Sequence, residues 1–199
     1  MKLICIDTET TGVDVSKHGI CTLAAIVYIG GKEVDCLELK LNPRTYNRPV
    51  EINPQALEVN GLTEAELDSY SPSATAFCDF ITFLEKYINR YDKSDKFEVM
   101  GYNSQFDTAF IRAWFLDNNH YYYGSYFKNY DLDVFALVKW VNFMDSGFGV
   151  GLPNLKLATV CEKLGIELKD AHTALADIRA TVQLKDKLFS SYVKIPGWL

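Results

Sequence analysis

The chain has 199 residues, 48% of them hydrophobic, and a formal net charge of −6. That length fits one domain with a sizeable core, and no apolar run approaches the ~18 residues of a membrane span. The acidic balance argues against tight coating of duplex nucleic acid, which depends on Lys and Arg, but not against binding a short 3′ end that needs few phosphate contacts. The first apolar run, Leu3-Ile4-Cys5-Ile6, is too short for a signal peptide and acids follow it at once. Five cysteines (Cys5, Cys21, Cys36, Cys78 and Cys161) lie in apolar segments, odd in number and without a Cys-x-x-Cys pair. They read as reduced core thiols in a cytoplasmic protein, and no His or Cys has zinc-ligand spacing to another.

Residues 3–7 read as a buried strand that ends in two carboxylates. Side chains at i and i+2 of a strand share a face, so Asp7 and Glu9 converge on one side. Two like charges held together need protons or cations, and hard oxygen ligands suit Mg²⁺ or Mn²⁺. On Asp-x-Glu alone a polar strand exit explains the pair better. Residues 20–28 form a second strand, Gly30-Gly31 a hairpin turn and residues 34–41 a third strand, together an antiparallel meander. The phase of the third strand slips at Cys36-Leu37, which predicts a bulge there. Thr63 with Glu66 is a capping box opening a short helix. Ser71-Pro72 starts a longer one, whose stripe of Phe77, Phe80, Ile81, Leu84, Tyr87 and Ile88 is core.

After a polar loop, residues 97–101 make a strand. It leads through Gly101-Tyr102-Asn103-Ser104-Gln105-Phe106-Asp107 into a helix, so Asp107 sits near a strand end and a helix start. The Tyr-rich stretch 120–130 reads as a surface loop rather than a base-stacking platform. Asp131-Leu132-Asp133 begins a further strand and helix. Residues 144–151, with three glycines and no following Gly-Lys-Ser/Thr, read as a mobile connection near the site. Residues 154–164 form a helix ended by Gly165. The last helix runs from 173 to about 189, and residues 190–199 are a tail. His172 and Asp177 are five apart, so they share no helix face. They converge if His172 lies in the loop just before that helix. Strands followed by alternating strands and helices give an α/β fold with a mixed sheet.

Taken in order, Asp7-Thr8-Glu9-Thr10-Thr11-Gly12, Asn103-x-x-Phe106-Asp107 and His172-x-Ala174-Leu175-x-Asp177 resemble the DEDDh family of 3′→5′ exonucleases, typified by the proofreading epsilon subunit of bacterial DNA polymerase III. The resemblance covers residues 1–189 as one exonuclease domain. Asn60-Gly61-Leu62 and Tyr102 depart from positions where the family often has His, and neither position is a metal ligand. The resemblance implies a ribonuclease H-like core, with a three-stranded antiparallel meander and further parallel strands flanked by helices. It also implies two divalent cations, Mg²⁺ or Mn²⁺, that clamp the attacking and departing oxygens. Asp7 would bridge them, Glu9 and Asp177 would complete one, and Asp107 would hold the other. His172 becomes the general base, with an ordinary pKa of ~6.5 suited to neutral pH. Thr8, Thr10, Thr11 and Gly12 would line the 3′-terminal nucleotide, with Asn103 and Phe106 beside them, more to orient Asp107 than to touch substrate. Asp133 is assigned to structure.

The expected partner is single-stranded or 3′-end nucleic acid, with DNA favoured over RNA, and a DNA polymerase is a candidate partner. An exoribonuclease of the same family stays open, because the 2′-hydroxyl discriminates and the sequence does not show how it is read. A catalytically silent binding or polymerase-accessory module stays open too. The intact set of Asp7, Glu9, Asp107, His172 and Asp177 speaks against it. A structural α/β protein with chance motifs is the remaining reading.

Overall fold

The N-terminal meander forms where alternation predicts it. The computed structural model describes residues 1–145, 147–149, 151–168 and 173–192. β1 (Lys2–Thr10), β2 (Ile20–Ile29) and β3 (Lys32–Asn42) pair antiparallel in sequence order. Gly30 and Gly31 turn the β2–β3 hairpin with φ of 59° and 79°, a left-handed conformation that glycine adopts without a Cβ penalty. β1 runs to Thr10, beyond the expected end at 7, so Asp7 and Glu9 lie inside the strand rather than at its exit.

The bulge in the meander lies earlier than expected. Val27 pairs with Asp35 and Tyr28 with Glu33, which leaves Val34 as the extra residue. Asp35, Leu37, Leu39 and Leu41 therefore keep one phase toward the core, and Cys36 points to solvent. Cys78 is exposed as well, so two of the five thiols are not core residues. Each follows a solvated face of its element, which an apolar neighbourhood in sequence does not reveal.

The short helices α1 (Pro54–Asn60) and α2 (Glu64–Ser69) follow, and both arms of the Thr63/Glu66 capping box are present. Ser71–Pro72 does not start a helix. It forms a two-residue strand, β4, parallel to the end of β3, because Pro72 is extended (φ −55°, ψ 139°). α3 (Ser73–Glu85) begins after it. β5 (Phe97–Gly101) adds parallel to β1, α4 (Ser104–Asp117) returns over the sheet, and β6 (Phe127–Asp133) adds parallel to β5. The sheet order is β4-β3-β2-β1-β5-β6.

The Tyr-rich stretch is not a loop. A helical turn, α5 (Tyr123–Tyr126), precedes β6, which starts at Phe127 rather than at 131. Tyr123 and Tyr126 pack their rings on Phe115 and Phe127, because a phenol buries its apolar body whenever a core is in reach.

β1 is buried on both faces. Ile4 and Ile6 join the α3–α4 side, where Phe80 stacks on Trp114 with ring centroids 5.8 Å apart. Leu3 and Cys5 join the other side, with α6 (Val134–Met144), α7 (Leu157–Lys163) and α8 (Ala174–Tyr192). Trp114 is fully buried, and truncating such a residue to Ala costs ~3–5 kcal/mol. Within the 144–151 connection Phe148 is buried and packs edge-on against Tyr192. Residues 190–192 are helix rather than tail, and residues 193–199 lie outside the described residues. Among the described residues no helix is long and apolar enough to cross a membrane.

Candidate active site

The alternation of β1 assigns its acidic end to two different neighbours. Asp7 and Glu9 share parity with Leu3 and Cys5, so they face the α8 layer. Thr8 and Thr10 share parity with Ile4 and Ile6 and face the α4 layer. Asp177 sits in the first turn of α8, where its amide donates to the carbonyl of Thr173 at 3.0 Å. Asp107 sits in the first turn of α4. The parallel β1–β5 pairing brings that turn beside β1, so three elements that are distant in sequence deliver four carboxylates to one end of the sheet.

Asp107 is buried and is held from β1. The Thr8 amide donates to its Oδ1 at 2.9 Å and the Thr8 hydroxyl to the same oxygen at 2.7 Å. Burial pushes the Asp107 carboxyl up to about 7, against these hydrogen bonds, which pull it down. Asp7 is pushed well above the usual carboxylate range, first by burial and then by the charges of Asp107, Glu9 and Asp177 in that order. Those causes place the other three carboxylates within electrostatic reach of Asp7. Held this way they need a proton or a cation among them.

Among the described residues no three His, Cys, Asp or Glu side chains already close tightly enough to hold a cation. The set fits a hard divalent cation by charge and by its oxygen chemistry. Both Thr8 bonds go to a single Asp107 oxygen, so Thr8 occupies only half of that carboxylate. His172 lies outside the described residues.

The other residues expected at the site are more inward than expected. The Thr8 hydroxyl is committed to Asp107. Thr10 Oγ1 donates to the carbonyl of Gly12 at 2.7 Å, and Thr11 Oγ1 donates to the carbonyl of Glu51 while accepting from the Gly19 amide. All three side chains are buried, and the hydroxyls of Thr10 and Thr11 brace the 11–19 loop. Gly12 packs on His18: a Cβ there would sit 2.4 Å from the imidazole. His18 in turn bonds through Nδ1 to the Glu51 carbonyl at 2.9 Å. Asn60 donates to the Thr10 carbonyl at 3.0 Å, so the departure at Asn60-Gly61-Leu62 touches the same loop.

Asn103 and Phe106 shape the turn that presents Asp107. Asn103 is exposed, with a left-handed backbone (φ 66°, ψ 43°) and no side-chain cap on α4. Its amide donates to Asp133 Oδ1 at 2.8 Å, and the same oxygen caps α6 through the Phe135 amide. Asp133 is thus a structural carboxylate. Phe106 packs on Phe110 with centroids 5.0 Å apart. Tyr102 stacks near Phe135 and bonds to the Leu155 carbonyl, so it ties the turn to the segment before α7.

The role of Thr8 was missed from sequence. Its signal was parity: the residue between two metal-type carboxylates must face the opposite layer, which is where the second carboxylate station arrives.

Known proteins share the sequence pattern and the fold of this chain. The PolC-type DNA polymerase III of Thermotoga maritima is 27% identical over 181 residues, which is 91% of this chain and 11% of that protein. The DNA polymerase III epsilon subunit of Aquifex aeolicus is 25% identical over 185 residues, 93% of this chain and 79% of that protein. The chain thus spans about a tenth of the length of its PolC-type relatives. E. coli exonuclease I in complex with a dT13 oligonucleotide superposes with a TM-score of 0.73 at 20% identity, over 96% of this chain and 41% of that one. That likeness shows the shared ribonuclease H-like fold. Residues 4–184 match the family model described as exonuclease, RNase_T, and the chain belongs to that exonuclease family.

Proposed function

We propose that the chain is a metal-dependent 3′→5′ exonuclease of the DEDDh type, which hydrolyses phosphodiester bonds at the 3′ end of single-stranded or frayed DNA and releases nucleoside 5′-monophosphates. The observation that carries this reading is the convergence of Asp7, Glu9, Asp107 and Asp177 from three elements on one strand end, where burial and the other three charges push the Asp7 carboxyl up. A structural role gives no reason to gather four such groups. Two divalent cations, Mg²⁺ or Mn²⁺, would be held by these carboxylates and would supply charge neutralisation at the scissile phosphate and an acidified water. Asp7 and Glu9 hold their positions through the β1 ladder, Asp107 through Thr8, and Asp177 through the first turn of α8. His172 would accept the proton of the attacking water, acting from the loop before α8. The relatives named as polymerase III proteins support a polymerase as a partner.

The deciding experiment is Mg²⁺-dependent digestion of 3′-labelled single-stranded DNA and RNA side by side. Stepwise release of mononucleotides from DNA is expected, and chelator should stop it. Faster release from RNA would move the substrate to the exoribonuclease reading. No release from either would leave a silent binding module.

A further inference from the structure

At the starts of β5 and β6 lies a cleft of about 450 Å³. The parallel pairing sets Phe97 beside Phe127 at this end and Gly101 beside Asp133 at the carboxylate end. At ~3.3 Å per residue those ends are ~13 Å apart. Along α4 the axial step from Asp107 to Arg112 is ~7.5 Å, with a turn of ~140° from the buried face to the exposed one. The cleft is therefore separate from the four carboxylates but within a few nucleotides of them, at the ~3.4 Å rise of a stacked strand.

Its floor is aromatic, with Tyr123 7% and Phe127 1% exposed. Its walls carry Lys93, Lys96, Arg112 and Lys128, and no carboxylate lines it. The chain as a whole has 26 acidic and 20 basic residues, so this local balance runs opposite to the overall one. Lys128 pairs with Glu98, while among the described residues Lys93, Lys96 and Arg112 form no salt bridge. The Arg112 guanidinium lies over the Tyr123 ring at 3.8 Å, and Lys96 donates to the Gly124 carbonyl at the rim. The Tyr123 hydroxyl is buried without a hydrogen-bond partner among the described residues. Tyr130, 48% exposed, has the Lys128 ammonium 5.6 Å from its ring centre.

We infer that this cleft holds the phosphodiester backbone of a single nucleic-acid strand upstream of the 3′ end, an inference that rests on the nuclease reading above. Strand binding combines cations that track the backbone with exposed aromatic faces that accept bases; the cations line this cleft, and Tyr130 is the exposed ring beside it, while Tyr123 and Phe127 are buried and only support the floor. An acidic peptide would use the cations but has no need of the aromatic rim. The site explains how an acidic protein keeps hold of a strand whose 3′ end enters a cluster of carboxylates.

The test is the Lys93→Gln/Arg112→Gln double variant, which leaves the carboxylate end untouched. Fluorescence anisotropy in chelator reads binding of oligo(dT) of about 20 nucleotides, longer than the ~4–16 that one strand-binding surface covers. Turnover of a strand of about four nucleotides in Mn²⁺ reads the catalytic end. The variant should bind the long strand at least ~5-fold more weakly, and its log K against log salt slope should flatten by ~1.4, from two lost phosphate contacts at ~0.7 each. Short-strand turnover should stay within ~2-fold of wild type. Wild-type affinity for the long strand would overturn the inference and leave the cations to an acidic partner. An equal loss on short-strand turnover would overturn it too. Lys93→Gln alone should give about half the slope change, so a double variant that folds poorly does not end the test. A wild-type chain that binds long strands through this cleft but hydrolyses none would sink the exonuclease reading and keep this one.

Discussion

The two faces of β1 treat a carboxylate in opposite ways. On the α4 face, Asp107 receives two hydrogen bonds from Thr8 that offset part of its burial. On the α8 face, Asp7 is surrounded by the charges of Asp107, Glu9 and Asp177, all of which add to its burial. Donors favour the charged form of a carboxylate, and neighbouring carboxylates oppose it. The α4 face therefore positions its carboxylate with donors, and the α8 face leaves Asp7 among like charges.

The largest expected effect breaks the α8 face. Asp7→Asn should lower kcat by ~10³-fold or more, because electrostatic stabilisation at the reacting centre is usually the largest single term. In chelator the same variant should melt no lower than wild type, since it removes a carboxyl whose ionisation burial and its neighbours oppose. A variant that melts lower and still digests DNA would show that Asp7 is a structural residue.

His172→Ala comes next, with turnover reduced ~10²–10⁴-fold as for a lost general base. Stabilisation by Mn²⁺ should persist in thermal scans, because the four carboxylates remain. An unchanged turnover rate takes His172 out of the mechanism.

Thr8 sharpens the comparison from the other side. Thr8→Val keeps the amide bond to Asp107 and removes the hydroxyl bond. Hydrogen bonds to charged groups are worth ~1.5–3 kcal/mol, so kcat/KM should fall ~10-fold and half-saturating Mn²⁺ should rise. Thr8→Ser should restore both. Equal activity in Thr8→Val would mean that the amide alone sets the Asp107 carboxylate.

The smallest effect is on stability against pH. Asp107 holds its proton to about 7 in the fold, against an ordinary value of 3.8. Between those limits the folded chain binds a proton that the unfolded chain has released, so metal-free stability from this group falls as pH rises from about 4 to about 7. Asp107→Asn should flatten that slope by several °C in Tm. The comparison is a set of melts in chelator across this window. Parallel curves for the two proteins would mean that Asp107 is charged throughout.

Much of this was legible before any coordinates. The meander follows from apolar alternation around Gly30-Gly31, and the Thr63/Glu66 cap from its spacing. The four carboxylates stand in motifs whose order survives folding. The loop threonines were harder. Thr10 and Thr11 sit in a motif that points to substrate, but their hydroxyls bond to Gly12, Glu51 and Gly19, partners up to 40 residues away. The Tyr-rich stretch misled in the same way, because polar tips mark a loop in sequence while the rings of Tyr123 and Tyr126 are core.

The chain alone determined what local physics can determine: period-two strands, capped helix starts, a glycine hairpin, and carboxylates whose spacing puts Asp7 and Glu9 on one face. Tertiary structure decided which layer each face meets. Strand parity sends Thr8 to Asp107 and Asp7 toward Asp177, but only parallel addition of β5 to β1 brings α4 within hydrogen-bond reach. It also decided that Cys36 and Cys78 are solvated and that Lys93, Lys96 and Arg112 share one cleft. Burial and field are sums over neighbours from distant segments, and no window of sequence contains those neighbours.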